Sequence, residues 1–230
     1  MSRFLVTGIF LVATGATAVS AFDHLEAAFS DPTARAWALA GFGVLKTAVI
    51  AAFCFFVAVR DEPRTRSRNP IAFLAFATAL AALVLLRQPS PTSSTTLVLI
   101  GDLLAFASCV WLLVAAITLG RCFGMLPEAR GLVTRGPYGV VRHPVYLGEI
   151  GVFAGFLIGA PSAWNLAAIL AFCAAQATRM RLEERALALE FPEYAEYAAR
   201  TPVLVPRPHV EMVAVRRLDD FVTRREAGVR

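Results

Sequence analysis

Apolar runs long enough to cross a lipid bilayer constrain this chain more than any other feature. They extend from Phe4 to Phe22, Trp37 to Val59, Ile71 to Leu86, Leu97 to Leu119, Val145 to about Gly159, and Ser162 to about Arg179. A helix of about 20 apolar residues crosses a hydrocarbon core of about 30 Å. Inside lipid the backbone must satisfy its own hydrogen bonds, which restricts spanning segments to helices or closed barrels. Composition agrees, with 57% of residues hydrophobic and 17% charged, outside the range of a soluble domain. The sequence therefore predicts an all-α polytopic transmembrane bundle of about six spans. The third and fifth runs are short, which suits little tilt, re-entry or a place inside the bundle.

Arginine placement orients the bundle, because short cytoplasmic loops accumulate Lys and Arg. The connection after the second run carries Arg60, Arg64, Arg66 and Arg68, and the one before the fifth carries Arg121, Arg130, Arg135 and Arg142. Both are expected inside. The mostly acidic Asp23–Ala36 and the uncharged Gln88–Thr96 are expected outside, which leaves both termini cytoplasmic. The net charge of +5 then describes topology and contact with anionic lipid, and does not argue for nucleic acid. Arg3, the first apolar run and Val19-Ser20-Ala21 also resemble a signal peptide, although the run's length favours an uncleaved span. Richness in alanine and arginine suits a bacterial inner membrane.

The chain divides into residues 1–120 with the first four spans, 121–206 with the last two and a cytoplasmic pocket, and a basic tail at 207–230. Within that tail Val210–Val229 is expected either as a surface-lying amphipathic helix or as an exposed tail. Cys54, Cys109, Cys122 and Cys173 show no paired spacing and read as small apolar residues, so no metal site is expected. Gly41-Phe42-Gly43, without a preceding strand, reads as a place of close helix packing. Lys46 and Asp102 fall at comparable levels of the outer half and are expected as a structural ion pair.

Two clusters hold ionisable side chains against apolar runs, where they are expensive to keep: Arg142-His143-Pro144-Val145-Tyr146-Leu147-Gly148 and Arg179-Met180-Arg181-Leu182-Glu183-Glu184. Pro144 suits a first helical turn, which places His143 and Tyr146 at the cytoplasmic surface. The sixth helix, from Pro161 to about Leu189, would be roughly 40 Å long, so its last turns project beyond the membrane with Glu183 and Glu184 level with His143 and Tyr146. Arg179 and Glu183 share a face. The result is a pocket of imidazole, phenol, guanidinium and carboxylate beside lipid. A solvated helix end with i,i+4 pairs explains the second cluster equally well.

The stretch Leu132 to Pro206, with LVTRGPYGVVRHPVYLGE and RMRLEERALALEFPEYAEYAARTPVLVP, resembles the isoprenylcysteine carboxyl methyltransferases and their phospholipid methyltransferase relatives. The resemblance covers roughly the C-terminal third. It implies transfer of a methyl group from S-adenosyl-L-methionine to a lipophilic or lipidated acceptor in the membrane. By position it implies cofactor contacts at Leu132, Val133, Tyr138, His143, Pro144, Val145, Tyr146, Glu183 and Glu184, with Glu183 holding the amino acid portion, and a substrate contact at Arg179. Phe191-Pro192-Glu193-Tyr194 and Tyr197 read as a structural lid or helix turn.

A sulfonium is already an activated methyl donor, so alignment and shielding from water are what the protein must add. A carboxylate acceptor needs no base and could be oriented by Arg179. An amine, thiol or phenol acceptor needs one, and His143 or Glu149 are the candidates. Glu149 reads equally as a carboxylate satisfied by a neighbouring helix. An NADPH-dependent reductase of the sterol-reductase type is the alternative enzyme, with Arg130, Arg135 and Arg142 as its phosphate site. Glu183 and Glu184 oppose a polyanion there. A scaffold or transporter-like bundle would tolerate alanine at His143, Tyr146 and Glu183.

Overall fold

The computed structural model describes residues 3–64, 69–87 and 94–205. Arg66, Arg68, most of Gln88–Thr96 and the 207–230 tail lie outside the described residues. The described chain forms α1 (Arg3–Ser30), α2 (Ala34–Val59), α3 (Pro70–Leu85), α4 (Thr95–Leu119), α5 (Pro144–Gly159), α6 (Ala163–Glu190) and α7 (Tyr194–Arg200). Single 3-10 turns lie at Gly120–Cys122 and Gly136–Gly139, and no β-strand occurs among the described residues. The segments Thr7–Ser30, Leu39–Val59 and Thr95–Cys122 are long and apolar enough to cross a membrane. α3 and α5 are apolar but shorter. α6 has the length, at 28 residues, and ends in the charged cluster from Arg179 to Arg185.

Local chemistry sets the helix ends. Asn69 caps α3, its Oδ1 accepting from Ile71 N at 2.9 Å, with Pro70 in the first turn. Ser162 caps α6 by accepting from Asn165 N at 3.1 Å. Pro144 opens α5, as the sequence predicts. α1 departs from expectation: it runs through Asp23 and Glu26 to Ser30, so most of the predicted acidic outer loop is helix. Nothing from Asp23 to Phe29 interrupts a helix. The break comes at Asp31-Pro32, where proline disfavours helical geometry in the residue before it, and Thr33 then caps α2 through Ala36 N at 3.1 Å.

Three helix pairs build the bundle, α4 on α5, α1 on α2 and α3 on α6. α5 turns Gly148, Gly151 and Gly155 toward α4, which lets the two backbones approach closely. Of the Gly41 and Gly43 pair, only Gly43 is at a close approach, where a Cβ would lie 3.2 Å from Ala21 Cα; Gly41 opens onto space. Phe153 of α5 stacks on Phe172 of α6 with ring centroids 3.8 Å apart, beside Ala75 and Ala79 of α3. The four cysteines are free thiols. Asp102 lines an apolar cavity of about 370 Å³ with Trp37, Phe42, Leu99 and Phe106.

Each end of the bundle is tied separately. At one end the Asn165 side chain accepts from Arg87 N at 2.9 Å and donates to Arg87 O at 3.0 Å, and Trp164 Nε1 donates to Leu85 O at 2.8 Å. At the other, Asp61 pairs with Arg121 at 2.6 Å, and Arg64 N donates to Ala129 O at 2.8 Å. The two arginine-rich connections therefore sit together, at the end that carries His143.

Candidate functional site

The start of α5 is held from two sides. Trp111 Nε1 of α4 donates to Pro144 O at 2.9 Å. The segment after α7 accepts from the residues before the helix, Arg142 N to Pro202 O at 2.8 Å and His143 N to Val203 O at 3.2 Å. His143 is the residue before the first turn, and its side chain does not cap the helix. It reaches α6 instead, where Nε2 lies 3.0 Å from Glu184 Oε1. Arg142 Nη1 meets the same carboxylate oxygen at 2.9 Å. One turn into α5, the Tyr146 hydroxyl donates to Glu183 Oε2 at 3.0 Å. The levels expected from helix length and rise are thus the levels found.

A second polar layer lies toward the bundle interior. The Arg179 guanidinium stands 5.1 Å from the Tyr146 ring centroid and 5.7 Å from that of Phe76. Its Nη1 donates to Gln176 Oε1 at 2.7 Å and its Nη2 to Met125 O at 3.0 Å. Gln176 in turn donates through Nε2 to Glu149. Glu149 is therefore met by a neighbouring helix, in a network that includes Arg179.

Between the 119–142 connection, the end of α6 and α7 lies a small cavity. Leu132, Val133, Tyr138, His143 and Glu183 all line it. Pro144 and Val145 do not: Pro144 is fully buried, and Val145 packs with Cys109 and Leu112 of α4. Tyr146, Glu149 and Arg179 lie outside its lining, and Glu184 touches it through Arg142 and His143. The methyltransferase reading of the sequence gave no cofactor contact to Arg130, Arg142, Tyr194 or Tyr197, all of which line the cavity; the two arginines entered only as the phosphate site of the reductase alternative. The lid residues Tyr194 and Tyr197 are buried, and the Tyr197 hydroxyl donates to Tyr138 O at 2.7 Å, which docks α7 on the Gly136–Gly139 turn. Aromatic residues at i,i+3 in a short polar helix were the available signal for such docking.

Electrostatics mark the cavity as polar and incompletely satisfied. Among the described residues, Arg130 Nη1, Arg142 Nε and Tyr194 Oη are buried and make no hydrogen bond of regular geometry, a costly condition for polar groups. The Tyr194 hydroxyl lies in the field of Arg142 and Glu184, and burial pushes it up to about 12. Burial likewise raises Tyr138 and Tyr197, so all three remain phenols able to donate. Glu184 goes the other way: the hydrogen bond with His143, then the nearby Arg142 charge, hold its carboxyl below the usual 4.5.

The sign of that shift gives a pH dependence. A carboxyl whose folded value is depressed contributes stability that is fully present above its unfolded value, about 4.3, and lost as pH falls through the lower folded value. Thermal unfolding of the wild type is expected to hold level near neutrality and decline below about pH 4. Glu184→Gln should have a lower midpoint at pH 7 and a shallower acid decline. Equal acid slopes in the two proteins would remove Glu184 from the account.

Comparison with known proteins finds similarity over the same part of the chain. Residues 91–193 match the phospholipid methyltransferase family. Over 77 residues the chain is 42% identical to the cobalt-zinc-cadmium resistance protein CzcN of Cupriavidus metallidurans, covering 33% of this chain and 36% of that one. Over 98 residues it is 39% identical to the nickel-cobalt-cadmium resistance protein NccN of Alcaligenes xylosoxydans xylosoxydans, covering 39% and 45%. The matched region thus spans less than half the length of these curated relatives. Among the described residues, no group of three or more His, Cys, Asp or Glu side chains is placed to hold a metal ion. The match to the phospholipid methyltransferase family thus lies over residues 91–193, which hold α4, α5, α6 and most of the cavity wall.

Proposed function

We propose that the protein transfers a methyl group from S-adenosyl-L-methionine to an apolar acceptor that partitions in the bilayer, with six spans and the cavity at the cytoplasmic surface of a bacterial inner membrane. The observation that carries this reading is the cavity's donor set. Glu183 offers a carboxylate to an ammonium, Arg130 and Arg142 bring buried nitrogens that make no regular hydrogen bond among the described residues, and Tyr194 brings a phenol beside Arg142 and Glu184. A zwitterion joined to a nucleoside answers that mixture. Glu128 and Glu183 in the same wall oppose a dinucleotide polyphosphate. The cavity measures about 30 Å³, room for about one water, so a cofactor requires the α7 wall to move outward.

When bound, the cofactor supplies an activated methyl group. The chain's residues would do the rest. Glu183, held by Tyr146, would fix the ammonium, and Arg130 the carboxylate. Leu132, Val133 and Leu187 would cover the apolar surface and exclude water. With Glu184 accepting at Nε2, His143 would donate there and keep its Nδ1 side toward the cavity. Arg179 and Glu149, on the bundle side of Tyr146, would meet the acceptor. An isoprenylcysteine-like carboxylate, another isoprenoid or a lipid amine all suit that position.

Calorimetry on detergent-purified protein tests the reading. S-adenosylmethionine and S-adenosylhomocysteine are expected to bind and NADPH is not. Binding of NADPH alone would replace the transferase with a reductase, and no binding of either class by folded protein would remove the cofactor site.

A further inference from the structure

We infer that Gln176 is a positioning residue: its buried amide holds Arg179 against the face of Tyr146 and thereby fixes the Tyr146–Glu183 hydrogen bond at the cavity edge. The inference extends the cofactor reading, since it gives Glu183 a support inside the bundle. Gln176 is 1% exposed and sits one helical turn before Arg179 on α6. An uncharged amide offers an acceptor at one end and donors at the other. Here Oε1 accepts from Arg179 Nη1 at 2.7 Å, and Nε2 donates to Glu149 on α5. Chemistry fixes that orientation, because a guanidinium only donates, so the amide oxygen faces Arg179 and the amide nitrogen is left for Glu149.

Removal of the amide would leave Arg179 poorly held. Among the described residues its Nε makes no hydrogen bond, and Gln176 Oε1 and Met125 O are the acceptors that restrain the guanidinium. That guanidinium stands 5.1 Å from the Tyr146 ring, whose hydroxyl reaches Glu183 at 3.0 Å. The chain of contacts runs from Glu149 through Gln176, Arg179 and Tyr146 to Glu183. It passes between α5 and α6 three times. A residue that only filled space would need neither end of the amide.

The test uses full-length protein carrying [13Cζ]tyrosine, with the Tyr146 resonance assigned by Tyr146→Phe. Gln176→Met keeps the volume and loses both hydrogen bonds. It is expected to shift the Tyr146 resonance and to weaken S-adenosylhomocysteine binding roughly 3- to 10-fold. The exchange Gln176→Glu with Glu149→Gln preserves a donor–acceptor chain and is expected to bring the resonance back. Gln176→Asn, one methylene shorter, provides the same shift if the methionine variant does not fold. An unmoved Tyr146 resonance in a folded variant, with a lowered thermal midpoint, would reduce Gln176 to packing and overturn the inference. If the wild type binds no S-adenosylhomocysteine, the cofactor reading fails, while the tyrosine resonance still decides the role of Gln176.

Discussion

Glu183→Ala is expected to weaken S-adenosylhomocysteine binding roughly 10- to 150-fold, the loss of one hydrogen bond to a charged group worth about 1.5–3 kcal/mol. Glu183 is half-buried, lines the cavity and accepts from the Tyr146 hydroxyl. Truncation would remove both the charge and the group that orients Tyr146. Glu183→Gln separates the two contributions, since it keeps an acceptor for the phenol and loses the negative charge. If the carboxylate holds an ammonium, the glutamine variant should bind nearly as poorly as the alanine. Calorimetric titration of wild type and both variants, with thermal unfolding as the check on folding, decides the matter. Wild-type affinity in Glu183→Ala would sink the assignment. Recovery in Glu183→Gln would make the residue a support for Tyr146 alone.

The parts of this site that were legible in the sequence depend on helix length and helix starts. Pro144 fixes where α5 begins, and the rise per residue along α6 fixes how far Glu183 lies from the start of that helix. Those two numbers are enough to bring Tyr146 and Glu183 to one level. The apolar runs located α2 to α6 for the same reason, since length and hydropathy are properties of a segment taken alone. What was illegible depends on contacts between distant segments. The pairing of Arg142 N with Pro202 O and the docking of Tyr197 on Tyr138 O follow from how the loops fold over one another, and no periodicity encodes that. Asp23 and Glu26 misled for a different reason. Charge ends an apolar run but not a helix: Glu is a good helix former, a single Asp is tolerated, and the break comes only at Asp31-Pro32. Gln176 carried a weak signal, an amide within an apolar run one turn before an arginine. Its two partners became clear only with the rotation of α6 against α5.

Gly155→Ala is expected to separate α4 from α5 and to cost about 1–3 kcal/mol or more, against a total stability for a folded protein of about 5–15 kcal/mol. A Cβ there would lie 2.5 Å from Gly101 O and 2.8 Å from Ala105 N. Both are backbone atoms of a helix and cannot rotate away as a side-chain tip would. The helices must therefore part, and the contact energy of a membrane helix pair resides in that close approach. The same pair carries the Trp111 Nε1 to Pro144 O hydrogen bond at 2.9 Å, so a shift of α5 along its length displaces His143 and Tyr146 from Glu184 and Glu183. Binding of S-adenosylhomocysteine should fall together with the thermal midpoint. Gly41→Ala is the contrasting change: a Cβ at Gly41 meets nothing within 4 Å, and replacing glycine inside a helix removes a penalty of about 1 kcal/mol. Its midpoint should equal or exceed that of the wild type. If thermal unfolding and size-exclusion profiles in detergent were the same for Gly155→Ala as for Gly41→Ala, close contact between α4 and α5 would not hold the site together.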